Sequence, residues 1–238
     1  MLTMQKKYNN AILPDNAIMN KEIITQNLAL SAHAELSSLI QSINFKNHHF
    51  EKIDFDKVKL VYESVDVIRY IMSILNLWDV DSADFESAFR KKDNYLWVKK
   101  RLSSKSWEGQ PVAIIDMDDV LAEFRLTFAN WVNNKYGIKI NVESNEYYFI
   151  SALSKINENP EKVFESFMSD GGFEMLGQVQ GAKEFLKNLR NEGYWIQLLT
   201  ARPEDELSCL HDTYSWLTAS EFEFDRINFS AEKFRWCA

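Results

Sequence analysis

Asp116, Asp118 and Asp119 crowd together directly after the apolar run Val112-Ala113-Ile114-Ile115. A short continuous apolar run reads as a buried strand, and open α/β sheets bind ligands beyond the carboxyl ends of their strands. Carboxylates gathered at such a place repel one another, so the arrangement calls for a metal or a proton. A second apolar run, Trp195-Ile196-Gln197-Leu198-Leu199, ends in Thr200-Ala201-Arg202-Pro203, and a third candidate strand beginning at Arg226 leads to Lys233. An acid, a hydroxyl and an amine thus follow three strands and can converge. Each has a plainer reading alone: a solvated acidic turn, a turn threonine and a surface lysine. Their order and position carry the weight.

A second acidic group lies upstream. Glu63 and Asp66, three apart in Tyr62-Glu63-Ser64-Val65-Asp66-Val67-Ile68, fall on one face of a helix, and Glu35 stands midway along an earlier one. If those helices are neighbours, the three carboxylates can hold Mg²⁺ with water, a hard-oxygen site suited to a triphosphate. The plainer reading is a solvated acidic stripe. His48 and His49 follow in a polar loop, where they touch phosphate or are simply solvated.

The elements that must position these residues differ between the two halves. No glycine precedes Gly109, whereas all seven lie from there onward, so the first part is expected to be all-helical. One helix is predicted from Asn20 to about Ser42, a second from Asp56 to Leu77 and a third from Ser82 to Arg101. The polar stretch 102–110 reads as a linker, closed by the helix-breaking Pro111. Beyond it, strands with a helix over Ala182–Asn191 indicate an α/β domain with a parallel sheet. The segment from Phe124 to about Gly177 separates the first two strands and carries Trp131, Tyr136, Tyr147, Tyr148 and Phe149. Aromatic residues in such an insertion form its own core more often than they stack a ligand, so none is assigned to a base.

Length and composition set further bounds. The chain has 238 residues, 46% of them hydrophobic, enough for two modest cores. A net charge of −8 argues against general binding to nucleic acid. Cys209 and Cys237 are too few for a disulfide framework, which suits a reducing cytoplasm. Met1 to Asn10 lacks the apolar core of a signal peptide, and no later run is long enough to span a bilayer, so a soluble, unexported protein is expected.

Asp116-Met117-Asp118-Asp119-Val120, Thr200 and Lys233 resemble the first three motifs of the haloacid dehalogenase-like hydrolases. Within that superfamily, Gly171-Gly172-Phe173-Glu174-Met175-Leu176, Gly181-Ala182 and the segment from Arg226 to Lys233 resemble the 5′-deoxyribonucleotidases. The resemblance implies a Rossmann-like domain with a small helical cap over 111–238. It implies that Asp116 attacks phosphorus, that Asp118 protonates the leaving oxygen and later activates water, and that Thr200 holds a phosphoryl oxygen. Lys233 would neutralise the nucleophile and the transferring group, with Mg²⁺ on Asp116 and the backbone carbonyl of Asp118. The family's fourth motif, an acidic pair completing the metal site, would follow Lys233, where the sequence stops at Ala238. Two readings stay open: a truncated version of a longer protein, or a domain lacking one metal ligand.

Glu35-Leu36-Ser37-Ser38 and Glu63-Ser64-Val65-Asp66 resemble the all-α nucleotide pyrophosphohydrolases, to which dimeric dUTPases and MazG-type enzymes belong. Those enzymes carry Glu-x-x-Glu where this chain has Glu35 and Ser38, so one carboxylate is missing and Mg²⁺ affinity should fall. The resemblance implies a nucleotide-binding helical domain over 20–101 and a homodimer. The resulting expectation is a multidomain cytoplasmic nucleotide hydrolase using Mg²⁺, with no nucleic-acid or membrane partner. Its phosphatase domain acts on (deoxy)nucleoside monophosphates, and its helical domain binds or cleaves a triphosphate such as dUTP. The alternatives are a catalytically impaired nucleotide-binding protein and a phosphatase of another small phosphoester.

Overall fold

A computed structural model describes residues 1–12, 20–41, 43, 56–142, 149–156 and 159–233. His48, His49, Tyr147, Tyr148 and Cys237 lie outside the described residues. The chain divides into two compact units, Met1–Ala88 and Phe89–Ala238. The division falls inside a helix, upstream of the polar stretch 102–110.

The first unit contains α1 (Leu2–Ile12), α2 (Lys21–Gln41), α3 (Lys57–Leu77) and the start of α4 (Ser82–Ser103). Each of the last three begins at a side-chain cap, the usual partner of orphan amides in a first turn. Asn20 accepts from Glu22 N at 2.8 Å, Asp56 from Val58 N and Lys59 N, and Asp81 from Ala83 N and Asp84 N. The helix α1 was not legible as an apolar stripe, because polar contacts fix it. Gln5 and Asn9 are buried, and the Gln5 amide donates to Asn9 Oδ1 at 2.9 Å and to Ser73 Oγ of α3 at 3.0 Å. The Arg69 guanidinium stacks 4.4 Å above the Tyr8 ring and donates to Gln5.

The second unit is rich in helix and holds a small parallel sheet: β1 (Val112–Asp116), β2 (Trp195–Thr200) and β3 (Arg226–Phe229), in the order β1-β2-β3. Pairing runs from Val112 opposite Trp195 to Asp116 opposite Leu199, and from Gln197 opposite Arg226 to Thr200 opposite Phe229. Because all three strands are parallel, their carboxyl ends open at one edge of the sheet. The central strand β2 is buried from Ile196 to Thr200, as a strand covered on both faces must be. The helices of this unit are α5 (Phe124–Tyr136), α6 (Ile150–Leu153), α7 (Pro160–Ser169), α8 (Ala182–Asn191) and α9 (Leu207–Ser220).

Between β1 and β2, the segment from α5 to α7 gathers aromatic rings that join the buried core of the sheet and α9. The Phe128 ring meets Phe167 edge-on at 5.1 Å and stacks with Trp131 and Phe149. Phe149, Phe167 and Phe173 are all buried. The end of α4 packs within this second unit: Val98 is buried in its core, and Tyr95 meets Tyr214 of α9 edge-on at 4.9 Å.

Candidate active site

Asp116 is the last residue of β1, and its Oδ1 accepts from Met117 N at 2.8 Å and from Lys233 Nζ at 2.5 Å. Lys233 arrives from the turn after β3, where Ser230 N donates to Thr200 O and Glu232 N donates to Ser230 Oγ. Tight backbone turns hold the segment after Asp116. The carbonyl of Met117 accepts from the amides of Leu121 and Ala122, and Asp119 takes the left-handed conformation at φ 60°. Asp119 Oδ1 accepts from Arg125 N at 2.9 Å and so caps α5. Burial, reinforced by the nearby charge of Asp118, pushes the Asp119 carboxyl up from its ordinary value against that hydrogen bond.

Asp118 faces a partner that sequence reasoning missed. The Arg202 side chain, only 1% exposed, donates from Nη2 to Asp118 Oδ1 at 2.6 Å and from Nε to both carboxylate oxygens at 3.2 Å. Its position two residues after Thr200, at the carboxyl end of a strand, was the available signal. Thr200 itself is fully buried, and its Oγ1 accepts from Arg202 N at 3.3 Å.

These groups surround a cavity of about 180 Å³. Asp116, Asp118, Asp119, Arg125, Arg202 and Lys233 form its polar wall. Its apolar lining is Phe124, Phe149, Phe164 and Phe173, two of whose rings lie against the arginines: Phe149 against Arg125 and Phe173 against Arg202. Thr200 does not line it, although its neighbour Ala201 does. The insertion therefore also presents rings to the cavity, which the sequence did not assign. The arrangement sets one carboxyl group beside a lysine, a second in the grip of an arginine, and aromatic rings in the same lining.

The carboxylate of Asp116 and the carbonyl of Asp118 are hard oxygens of the kind Mg²⁺ prefers. That ion commonly takes only one or two protein carboxylates and completes its shell with water and phosphate. The donor set therefore fits Mg²⁺. Among the described residues no group of three or more His, Cys, Asp or Glu side chains is arranged to hold a metal by itself. Cys209 is no rival nucleophile, because burial pushes its thiol up to about 12.

In the first unit, Glu35 and Asp66 line one cavity of about 320 Å³ together with Gln5, Asn9, Arg69 and Ser73. Glu63 and Ser38 are not among its lining residues. The structure thus brings two of the three upstream carboxylates to one cavity. Arg69 stands in the wall beside them.

Residues 110–231 match the family described as 5′ nucleotidase, deoxy (pyrimidine), cytosolic type C protein. The chain belongs to this 5′-nucleotidase family. The match includes Asp116, Asp118, Thr200 and Arg202, and ends two residues before Lys233. No curated protein is significantly similar to the chain. Among solved structures, a dehalogenase is 14% identical, with 55% of this chain and 66% of that one covered at a TM-score of 0.34. A hydrolase from Streptococcus pneumoniae TIGR4 is 18% identical, with 51% and 66% covered at a TM-score of 0.31. The chain spans just under two thirds of each of these two. No helix among the described residues is long and apolar enough to cross a membrane.

Proposed function

We propose that the second unit, a Rossmann-like domain with a helical cap, is a phosphoric monoester hydrolase acting on (deoxy)nucleoside monophosphates. The observation that carries this reading is the convergence of Asp116, Asp118 and Lys233 on one cavity at the carboxyl ends of parallel strands, in a domain of the 5′-nucleotidase family. Asp116 attacks phosphorus to form an aspartyl-phosphate while Asp118 gives a proton to the leaving oxygen. Asp118 then takes a proton from the water that attacks the aspartyl-phosphate, which frees phosphate and restores both carboxyl groups. Lys233 offsets charge on the nucleophile and the transferring group. Mg²⁺ held by Asp116 and the Asp118 carbonyl would supply further charge stabilisation when bound. The Phe124, Phe149, Phe164 and Phe173 wall suits the apolar face of a leaving nucleoside.

A Mg²⁺-dependent phosphate-release assay over nucleoside monophosphates and sugar phosphates tests the reading. Turnover should fall about 10³-fold or more in Asp116→Asn with the circular dichroism spectrum preserved. Retained turnover in that variant would refute the mechanism. Preference for sugar phosphates over every nucleotide would move the substrate assignment, and nucleotide binding without turnover would make the protein a binding module.

For the first unit we infer a nucleotide-binding role in a cytoplasmic homodimer. Support comes from the shared cavity of Glu35 and Asp66, and from Val58, Val61, Val65 and Ile68, which recur along α3 at helical spacing and are all exposed. Calorimetric titration with Mg²⁺ and a non-hydrolysable triphosphate checks the site. Heat that is unchanged in Asp66→Ala would remove it, and light scattering that finds only monomer would remove the dimer.

A further inference from the structure

We infer that Arg202 is a positioning residue that aims Asp118 for proton transfer, an assignment that rests on the phosphatase reading above. Three observations fix the guanidinium before any substrate arrives. Its Nη1 donates to Thr213 Oγ1 at 3.0 Å, and that hydroxyl donates in turn to Cys209 O within α9. Its Cζ lies 4.5 Å from the Phe173 ring centroid and 5.8 Å from that of Trp216, whose indole donates to Leu176 O. The side chain is 1% exposed, so its charge is held out of water and depends on the oxygens that accept from it.

The grip is unequal. Asp118 Oδ1 receives two hydrogen bonds, one of them at 2.6 Å, whereas Oδ2 receives one at 3.2 Å. A planar arginine fork sets the direction of the carboxylate plane as well as its place. Oδ1 is thus the anchored oxygen, and we assign the proton to Oδ2, whose single hydrogen bond from Nε at 3.2 Å is the weaker hold. In the first step the Asp116–phosphorus bond forms, the bond from phosphorus to the leaving oxygen breaks, and the Oδ2 proton passes to that oxygen. In the second, Oδ2 takes a proton from water as the water oxygen bonds to phosphorus and the bond to Asp116 breaks. Arg202 enters neither bond change; it acts through Asp118.

This role predicts a dependence on the leaving group. A nucleoside alkoxide needs the proton, whereas p-nitrophenolate leaves without it, so a misaimed Asp118 slows the first step only for the nucleotide. Its second step is slowed for both. For Arg202→Met, kcat on a nucleoside 5′-monophosphate should fall about 10²-fold with KM little changed. With p-nitrophenyl phosphate the same variant should release a stoichiometric burst of nitrophenolate at nearly the unaltered rate and accumulate the phosphorylated protein. Arg202→Lys keeps the charge without the fork and should show the same pattern, so it carries the test if the methionine variant unfolds. Equal losses on both substrates without a burst, or loss of the fold in both variants, would overturn the assignment and leave the phosphatase reading intact. Absence of turnover of both substrates by the unaltered protein would overturn both.

Discussion

Gly172 shows how one missing methyl group fixes the wall of the cavity. A Cβ built there would lie 2.4 Å from Phe167 Cζ and 2.5 Å from two further ring carbons, and Phe167 is itself fully buried among Phe124, Phe128 and Phe173. The ring is hemmed by these neighbours, so Gly172→Ala must displace either Phe167 or the turn that carries Phe173. A loss of about 1–3 kcal/mol is expected in urea denaturation, the usual cost of overpacking. A loss below about 0.5 kcal/mol would mean that the ring yields freely. The Gly171-Gly172-Phe173 motif could be read in the sequence, but its reason could not, because it is the position of a ring on α7. Arg202 is a similar case. Its type and place after Thr200 were visible, while its partner Asp118 stands 84 positions away.

At the scale of elements, Asp225 stitches β3 to its neighbour. Its Oδ2 accepts from Ile196 N at 2.8 Å, while Lys105 Nζ lies 2.7 Å from Oδ1 and Arg190 Nη2 lies 2.7 Å from Oδ2. Burial alone would raise this carboxyl, but the hydrogen bonds from Lys105, the Ile196 amide and Arg190 outweigh it and hold it below its ordinary value. A depressed folded-state value gives stability that is present above the unfolded value and lost as pH falls through the folded one. Asp225→Asn should therefore cost about 1–3 kcal/mol at neutral pH, and the cost should shrink below the usual carboxylate range. Denaturation at a series of pH values reads this directly, and a cost independent of pH would contradict it. The strands themselves were legible because β1 and β2 are short apolar runs. The helix α1 was not, because its buried face is Gln5 and Asn9 rather than an apolar stripe.

At the scale of the whole molecule, the second compact unit begins at Phe89, ahead of the polar stretch that reads as a linker. Lys91 Nζ lies 2.6 Å from Asp212 Oδ1, whose side chain has no exposure, and 3.1 Å from Glu174 Oε2. Asn94 donates to Ser215 Oγ, and Val98 is 4% exposed. A fragment starting at Pro111 loses all of these contacts, the cation of Asp212 among them. A fragment covering 89–238 should melt in one transition well above a fragment covering 111–238. Equal melting temperatures in calorimetry would show that α4 adds nothing to this unit.

The sequence by itself determined the kinds of elements and the chemistry near strand ends, because apolar periodicity and turn residues are local properties. It placed Asp116 and Asp118 after one apolar run and Thr200 after another, and parallel pairing brings those ends side by side. The tertiary structure decided which side chains meet. It put Arg202 on Asp118, withdrew Thr200 from the cavity wall and turned the insertion's phenylalanines toward the site. It also placed Glu35 and Asp66 on a cavity that Glu63 does not line. Contacts between residues far apart in the chain depend on how whole elements pack, and no local pattern records that packing.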